Sequence, residues 1–317
     1  MAVCFGGTCL CLILVFVMNF CDKSCQGIES KESKPSSLNQ NEEKYLFATN
    51  LLVLVLSAPS HTATRQVIRE TWAKHLPDGT SLRFVIGSSQ LSENSLSSLN
   101  EENNLSKDLL LLDQIKESFA DLTRKVLAML KYSHENIKFN FLLKVDEDSF
   151  VRVDKILDEL LSKPQDRLYW GFFDGRAHVK KGGKWQEGDY VLCDRYIPYA
   201  LGGGYVISSD IVKFVALSSE MLQLYKNEDV TLGTWLAPLN VNRVHDSRFD
   251  TEYKSRGCYN SYLVTHKKSP EELRALQMNI DSKGTLCKKE TRVRLSYNYD
   301  WSVPPSQCCE RKDPTVP

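Results

Sequence analysis

The chain has 317 residues, 42% apolar and 25% charged, which is enough apolar material for a full core and too much for a disordered chain. Lysine plus arginine and aspartate plus glutamate balance at 40 each, so no broad basic field exists to collect nucleic acid and no acidic tail to solvate the chain.

Ala2 to Phe20 carries no charge and has the roughly 20-residue length that crosses a bilayer core. Two readings follow, a signal anchor over residues 1–21 or a cleaved signal peptide, and both send the body into the secretory pathway. The sequence CDKSC after Phe20 offers no small-x-small cleavage pattern, which favours the anchor, although no basic residue precedes the run to set its orientation. Residues 22–44 form a stem, polar and without hydrophobic period from Gln26 to Lys44. Ten cysteines divide into Cys4, Cys9, Cys11, Cys21 and Cys25 in or beside the apolar run and Cys193, Cys258, Cys287, Cys308 and Cys309 in the body. The second group suits an oxidising compartment, and its odd number leaves one thiol free or paired with a juxtamembrane cysteine. No pair has zinc-finger CxxC spacing. Asn104-Leu105-Ser106 is the single glycosylation sequon.

One α/β domain is expected over residues 45–317. Phe47 to Leu56 reads as a strand buried on both faces, Thr62 to Lys74 as a helix with Val67, Ile68 and Trp72 on its apolar side, and Leu82 to Ile86 as a second strand stopped at Gly87. Leu109 to Leu112 is a short third strand, Ile115 to Tyr132 a helix, and Phe139 to Val145 a fourth strand leading into Asp146-Glu147-Asp148. Val153 to Leu161 is a helix, and Tyr169 to Gly188 has no clear period. Strands alternating with helices imply a mostly parallel sheet.

Asp146 and Asp148, one residue apart at the carboxyl end of a buried strand, lie where open α/β sheets place ligands, and Mg²⁺ or Mn²⁺ prefers such oxygens. The competing reading is a solvated turn capping the next helix. His266 and His245 each stand in a position to complete a metal site, or serve as ordinary core or surface histidines. Arg65 and Arg69, four apart on one helix face, suit either phosphate or surface ion pairs. Glu228 and Asp229 open an apolar helix, as dipole partners or with one acting as general base. Gly202-Gly203-Gly204 is too glycine-dense for a strand interior and reads as a tight turn or a close backbone approach to a ligand; it lacks the Walker lysine and the dinucleotide spacing.

Five motifs in order, RQVIRETW at Arg65–Trp72, KVDEDSF at Lys144–Phe150, YALGGGYVIS at Tyr199–Ser208, NEDVTLG at Asn227–Gly233 and VTHK at Val264–Lys267, resemble the β-1,3-galactosyltransferase family over about Leu51 to Cys309. YWGFFDGR, GTWLAPLNV, RFDTEYKSRGC, LCKKE and RLSYNYDWSVPPSQCC look like its linker-region branch, which adds the second galactose to galactosyl-xylose on proteoglycan core protein.

The resemblance implies a GT-A type, Rossmann-like α/β domain behind an N-terminal transmembrane helix and short stem, single-pass type II in the Golgi membrane with the catalytic domain lumenal. By the same resemblance Asp148 and His266 bind Mn²⁺, with Asp146 on the metal shell or the nucleotide sugar, and Asp229 is the base for inverting transfer from UDP-galactose. Arg65 and Arg69 lie in the UDP pocket, Lys125 and Lys144 are further candidates there, and Gly203 and Gly204 let backbone approach the sugar. Asp121-Leu122-Thr123 departs from the NLT sequon of many relatives, and Glu147 stands where many have aspartate. The alternatives are a sibling transferase with another donor sugar or a glycolipid acceptor, and an inactive lumenal sugar-binding protein.

Overall fold

The chain enters its fold through β1 (Phe47–Leu56), whose residues from Leu51 to Leu56 are all buried. Burying each such side chain is worth about 1.5–3 kcal/mol, so a continuous apolar run is stable only where both faces are covered. The structure is a computed structural model describing residues 45–309. The expected anchor, stem and five N-terminal cysteines lie outside those residues. Among the described residues no helix is long and apolar enough to cross a membrane.

Helix α1 (Thr62–Glu70) leads to β2 (Thr80–Ser89), α2 (Glu93–Ser106) to β3 (Leu109–Lys116), and α3 (Leu122–Asn136) to β4 (Ile137–Asp146). Strands β2 and β4 flank β1 in parallel, and β3 lies parallel outside β2. Then follow β5 (Phe150–Val151), α4 (Val153–Leu160), β6 (Leu168–Asp174), β7 (Tyr199–Ser208), α5 (Ser209–Ser218), α6 (Glu228–Leu236) and β8 (Asn242–His245). The sheet order is β3-β2-β1-β4-β7-β6-β8, with β7 antiparallel to both neighbours. Consecutive strands run outward from β1 to β3, and β4 returns to the other side of β1. That reversal opens a crevice at the carboxyl ends of β1 and β4, where Leu56 pairs with Asp146.

The last part of the described chain supplies β9 (Phe249–Asp250), β10 (Gly257–Cys258), β11 (Val264–Thr265), α7 (Pro270–Lys283) and β12 (Thr291–Arg292). β11 lies between β5 and β9 in a separate small sheet, and β10 pairs with β12. Cys258–Cys287 and Cys308–Cys309 are disulfides, and Cys193 keeps a free, exposed thiol.

The helix expected from Ile115 starts instead at Leu122, because Ile115 is buried on β3, which pairs with β2 as far as Lys116. The glycine triplet is not a turn: it lies inside β7, with Gly204 opposite Val145 of β4. Strand β2 does not stop at Gly87 but continues through a register shift to Ser89. Three helices had not been read from the sequence. α2 buries only Leu99 and displays Asn104, exposed, on its surface; α5 buries Ile211, Val212 and Val215; α7 carries a Ser269–Glu272 capping box.

Candidate metal and transfer site

Asp146 ends β4, and the amide of Ser149 donates 3.1 Å to its carbonyl, so the chain turns at once and sends Asp148 back toward the sheet edge. Pairing of β11 with β5, Thr265 opposite Phe150, sets the next residue, His266, beside that turn. Further hydrogen bonds fix it: the His266 amide to the Asp250 carbonyl at 3.1 Å and the Lys268 amide to the Asp148 carbonyl at 2.8 Å. The imidazole Nδ1 stands 3.1 Å from an Asp148 carboxylate oxygen, and Nε2 4.0 Å from one of Asp146. One ligand atom from each of the three residues lies within 4.8 Å of the others.

The tautomer of His266 follows from its neighbour. Ser149, fully buried, donates its single hydroxyl proton to the Gly203 carbonyl at 2.6 Å. The 3.0 Å contact between Ser149 Oγ and His266 Nδ1 therefore has Nδ1–H as donor, leaving the Nε2 lone pair bare. A metal-binding histidine is commonly oriented in this way through its other nitrogen. Two carboxylates and a neutral imidazole fit a divalent cation such as Mn²⁺ or Mg²⁺. Although burial opposes it, the hydrogen bond from His266 holds the Asp148 carboxyl below its usual range.

The second half of the site grows from Lys144, buried one residue pair before the end of β4. Its ammonium donates to Asp146 at 2.8 Å, to the Gly202 carbonyl at 2.6 Å and to Glu228 at 2.5 Å. Against the penalty of burial, the Asp146 and Glu228 carboxylates hold this lysine charged, above its usual range. One ammonium serves three acidic groups here, so burial, only partly offset by Lys144, pushes Glu228 up to about 7. Asp229, at the start of α6, accepts from the amides of Gly202 at 2.9 Å and Val230 at 2.8 Å. Burial raises its pKa also, with Lys144 opposing.

The glycine triplet explains how these halves approach. A Cβ on Gly202 would stand 2.7 Å from Glu228 Oε1, one on Gly203 2.7 Å from His266 Cγ, and one on Gly204 3.0 Å from a Val264 methyl. Only glycines let β7 pass under both the start of α6 and the His266 ring. Asp146, Asp148, His266, Asp229, Lys144, Gly203 and Gly204 are thus brought together.

Arg65 and Arg69, expected beside UDP, have their guanidinium groups on protein partners near the carboxyl end of β1. Arg65 is fully buried, its Nε and Nη2 on Glu102 and its Nη1 on Ser57 Oγ and the Ala58 carbonyl, with Nη2 also on Thr62. All its donors are engaged, so it shapes the loop between β1 and α1. Arg69 is clamped by Glu102 and Asp108. Lys125, also buried, holds the Ser57 carbonyl at 2.6 Å and Glu117 at 2.8 Å. His245 belongs to the core: Nδ1 accepts from the Phe173 amide, Nε2 faces the Tyr297 carbonyl, and burial lowers its pKa to about 4. Sequence reasoning missed Ser149 and the contact of His61 with Glu147 that ties the β1–α1 loop to the turn after β4. KVDEDSF contains Ser149, but its partner lies 117 residues later.

Residues 63–247 match the family described as Galactosyltransferase. The chain is similar to "Beta-1,3-galactosyltransferase 6" of Mus musculus, 51% identical over 270 residues, 83% of this chain and 83% of that protein. "UDP-GalNAc:beta-1,3-N-acetylgalactosaminyltransferase 2" of Xenopus laevis is 32% identical over 196 residues, 61% of this chain and 39% of that longer protein. Among solved structures, mannosyltransferase PcManGT from Pyrobaculum calidifontis, in complex with GDP-Man and Mn²⁺, aligns over 63% of this chain and 55% of that one with TM-score 0.36 and 10% identity. The matched segment spans Asp146, Asp148 and Asp229, and with the resemblance to a protein of similar extent it shows that the chain belongs to the β-1,3-galactosyltransferase family.

Proposed function

We propose that the protein moves galactose from UDP-galactose, with inversion, in β-1,3 linkage to the galactose of galactosyl-xylose on proteoglycan core protein. The reading is supported by the motifs of the linker-region branch and by the printed name of the mouse relative. The observation that carries the chemistry is the separation of roles at one sheet edge: a triad of metal-ligand type, and a distinct carboxylate, Asp229, whose burial raises its affinity for a proton.

Asp146, Asp148 and His266 would hold Mn²⁺, whose contribution when bound is to neutralise the charge of the departing UDP. Asp229 takes the proton of the acceptor 3-hydroxyl as that oxygen attacks the anomeric carbon, and the amides of Gly202 and Val230 hold its carboxylate in place for that task. Lys144 ties Asp146 to Gly202 and Glu228, so the donor and base halves keep their spacing. The catalytic domain works in the Golgi lumen, reached through the apolar N-terminal segment.

Removing a general base costs about 10²–10⁴-fold in rate. Asp229→Asn is expected to lose at least about a hundredfold in kcat while circular dichroism and melting stay close to those of the parent chain. Turnover retained in a folded Asp229→Asn protein would remove that residue from the role.

A further inference from the structure

The loop between β1 and α1 is held from two sides. From within, Arg65 donates Nη1 to Ser57 Oγ at 3.0 Å and to the Ala58 carbonyl at 2.6 Å, and Lys125 donates to the Ser57 carbonyl at 2.6 Å. From the side of the crevice, His61 at the end of this loop sets Nδ1 against Oε1 of Glu147, 86 residues further along the chain. Glu147 is the middle residue of the acidic triplet, with no part in holding the metal or in moving the proton. The His61 side chain is 47% exposed and that of Glu147 20%, so the pair stands at the surface of the crevice and not in the core. Among the described residues Nδ1 is the ring nitrogen of His61 that has a partner, and Nε2 has none.

A carboxylate only accepts, so the neutral imidazole donates Nδ1–H to Glu147 and keeps a bare lone pair on Nε2. What that lone pair faces follows from the order of the strands. β1 lies on one side of β4 and β7 on the other. Asp229, which accepts from the Gly202 amide, belongs to the β7 side, and the metal triad gathers at the end of β4. A nucleotide sugar is a chain of nucleoside, diphosphate and sugar. With its diphosphate at the triad and its anomeric carbon toward Asp229, the nucleoside extends to the β1 side, where His61 stands.

We infer that His61 is a donor-binding residue, accepting a hydrogen bond at Nε2 from the nucleoside, and that Glu147 is the positioning residue that holds its ring. The inference rests on the proposed placement of Mn²⁺ and of Asp229 as base. A uridine offers such a hydrogen from its ribose hydroxyls or from the imino N–H of its base, and the recognition is the same for both. What glutamate supplies at position 147 is reach. Aspartate there withdraws the carboxylate by one carbon–carbon bond, about 1.5 Å, out of hydrogen-bonding range of His61, while the charge beside the metal stays. Glutamine keeps the reach and an acceptor oxygen but loses the charge. Support for His61 and charge beside the metal are therefore separable.

The test uses the full chain and reads UDP affinity by calorimetry with Mn²⁺, Mn²⁺ affinity by electron paramagnetic resonance without nucleotide, and kinetics with UDP-galactose and galactosyl-xyloside. His61→Ala is expected to weaken UDP about fivefold, the scale of one hydrogen bond, and to raise donor KM in proportion. Acceptor KM and Mn²⁺ affinity stay within about twofold. Glu147→Asp gives the same split, and Glu147→Gln recovers most of the loss. Combining His61→Ala with Glu147→Asp weakens UDP no further than His61→Ala alone, because one residue acts through the other. Deoxyribose analogues and N3-methyl UDP identify the hydrogen: the analogue lacking it binds about fivefold more weakly to the parent chain and equally well as UDP to His61→Ala. The inference is overturned if His61→Ala keeps UDP affinity within about twofold, if Mn²⁺ affinity falls with it, or if every analogue loses as much with His61→Ala as with the parent chain. Glu147→Gln weaker than Glu147→Asp overturns the role of Glu147. Calorimetry needs no turnover, so a parent chain that binds UDP without transferring galactose refutes the assigned reaction and leaves this comparison to decide. A parent chain that binds no UDP refutes the inference.

Discussion

Two aspartates of the site have opposite environments. Asp148 is held below the usual carboxylate range by His266, against the effect of burial, while Asp229 is raised by burial, against the effect of Lys144. A group kept ionised suits a metal, and a group with raised proton affinity suits proton abstraction. The sign of the pH dependence follows. As the proposed base, Asp229 must be deprotonated, and its raised pKa means that kcat/KM is expected to fall with acidity at a pH above the 3.8 of an ordinary aspartate. Because Glu228 and Asp146 share Lys144 with it, the limb belongs to the group as a whole. A pH–rate profile under saturating Mn²⁺ checks this, and an acid limb at or below 3.8 would contradict it.

At the scale of elements, β7 has the central role. It pairs with β4 as far as Gly204 and with β6 on either side of the glycines, at Tyr205 and Ala200, so Gly203 is held between anchored residues with little room to retreat from an added side chain. Gly203→Ala puts a methyl 2.7 Å from His266 Cγ, closer than side chains tolerate, and the imidazole must turn. The Mn²⁺ concentration for half-maximal activity is expected to rise about tenfold, the usual scale for disturbing the orientation of a metal histidine. An unchanged Mn²⁺ requirement would show that β7 does not set the histidine.

The same strand shows what local pattern conveys and what it does not. Three successive glycines weaken a strand on propensity alone, which is why they read as a turn; what selects them are Glu228, His266 and Val264, all later in the chain, the last two brought next to them by the pairing of β11 with β5. Strand β1, α1 and β4 with its acidic triplet were legible because burial on both faces or on one face leaves a period in the residues. α2 buries Leu99 alone and has no such period. Arg65 and Arg69 were legible as a pair on one face, but Glu102 comes from α2, which the pattern did not reveal, and Asp108 from the link between α2 and β3.

Over the whole molecule, the site lies where the strand order reverses around β1, and no single element contains it. β4 supplies Asp146 and Lys144, the turn after it Asp148, α6 Asp229, and the segment after β11 His266. A sheet of this order offers one such crevice at the ends of β1 and β4, which is why the Asp146–Asp148–His266 cluster and Asp229 converge there. Family membership fixes the class of reaction, whereas donor and acceptor depend on side chains around the crevice.

The most direct measurement incubates the protein with UDP-galactose, UDP-N-acetylglucosamine or UDP-N-acetylgalactosamine against galactosyl-xyloside and a glycolipid acceptor, each with Mn²⁺ and with chelator. The expected result is a β-1,3-linked galactosyl product from UDP-galactose and galactosyl-xyloside alone, abolished by chelator. Undiminished transfer with chelator, or a preference for another donor or for the glycolipid, would contradict it.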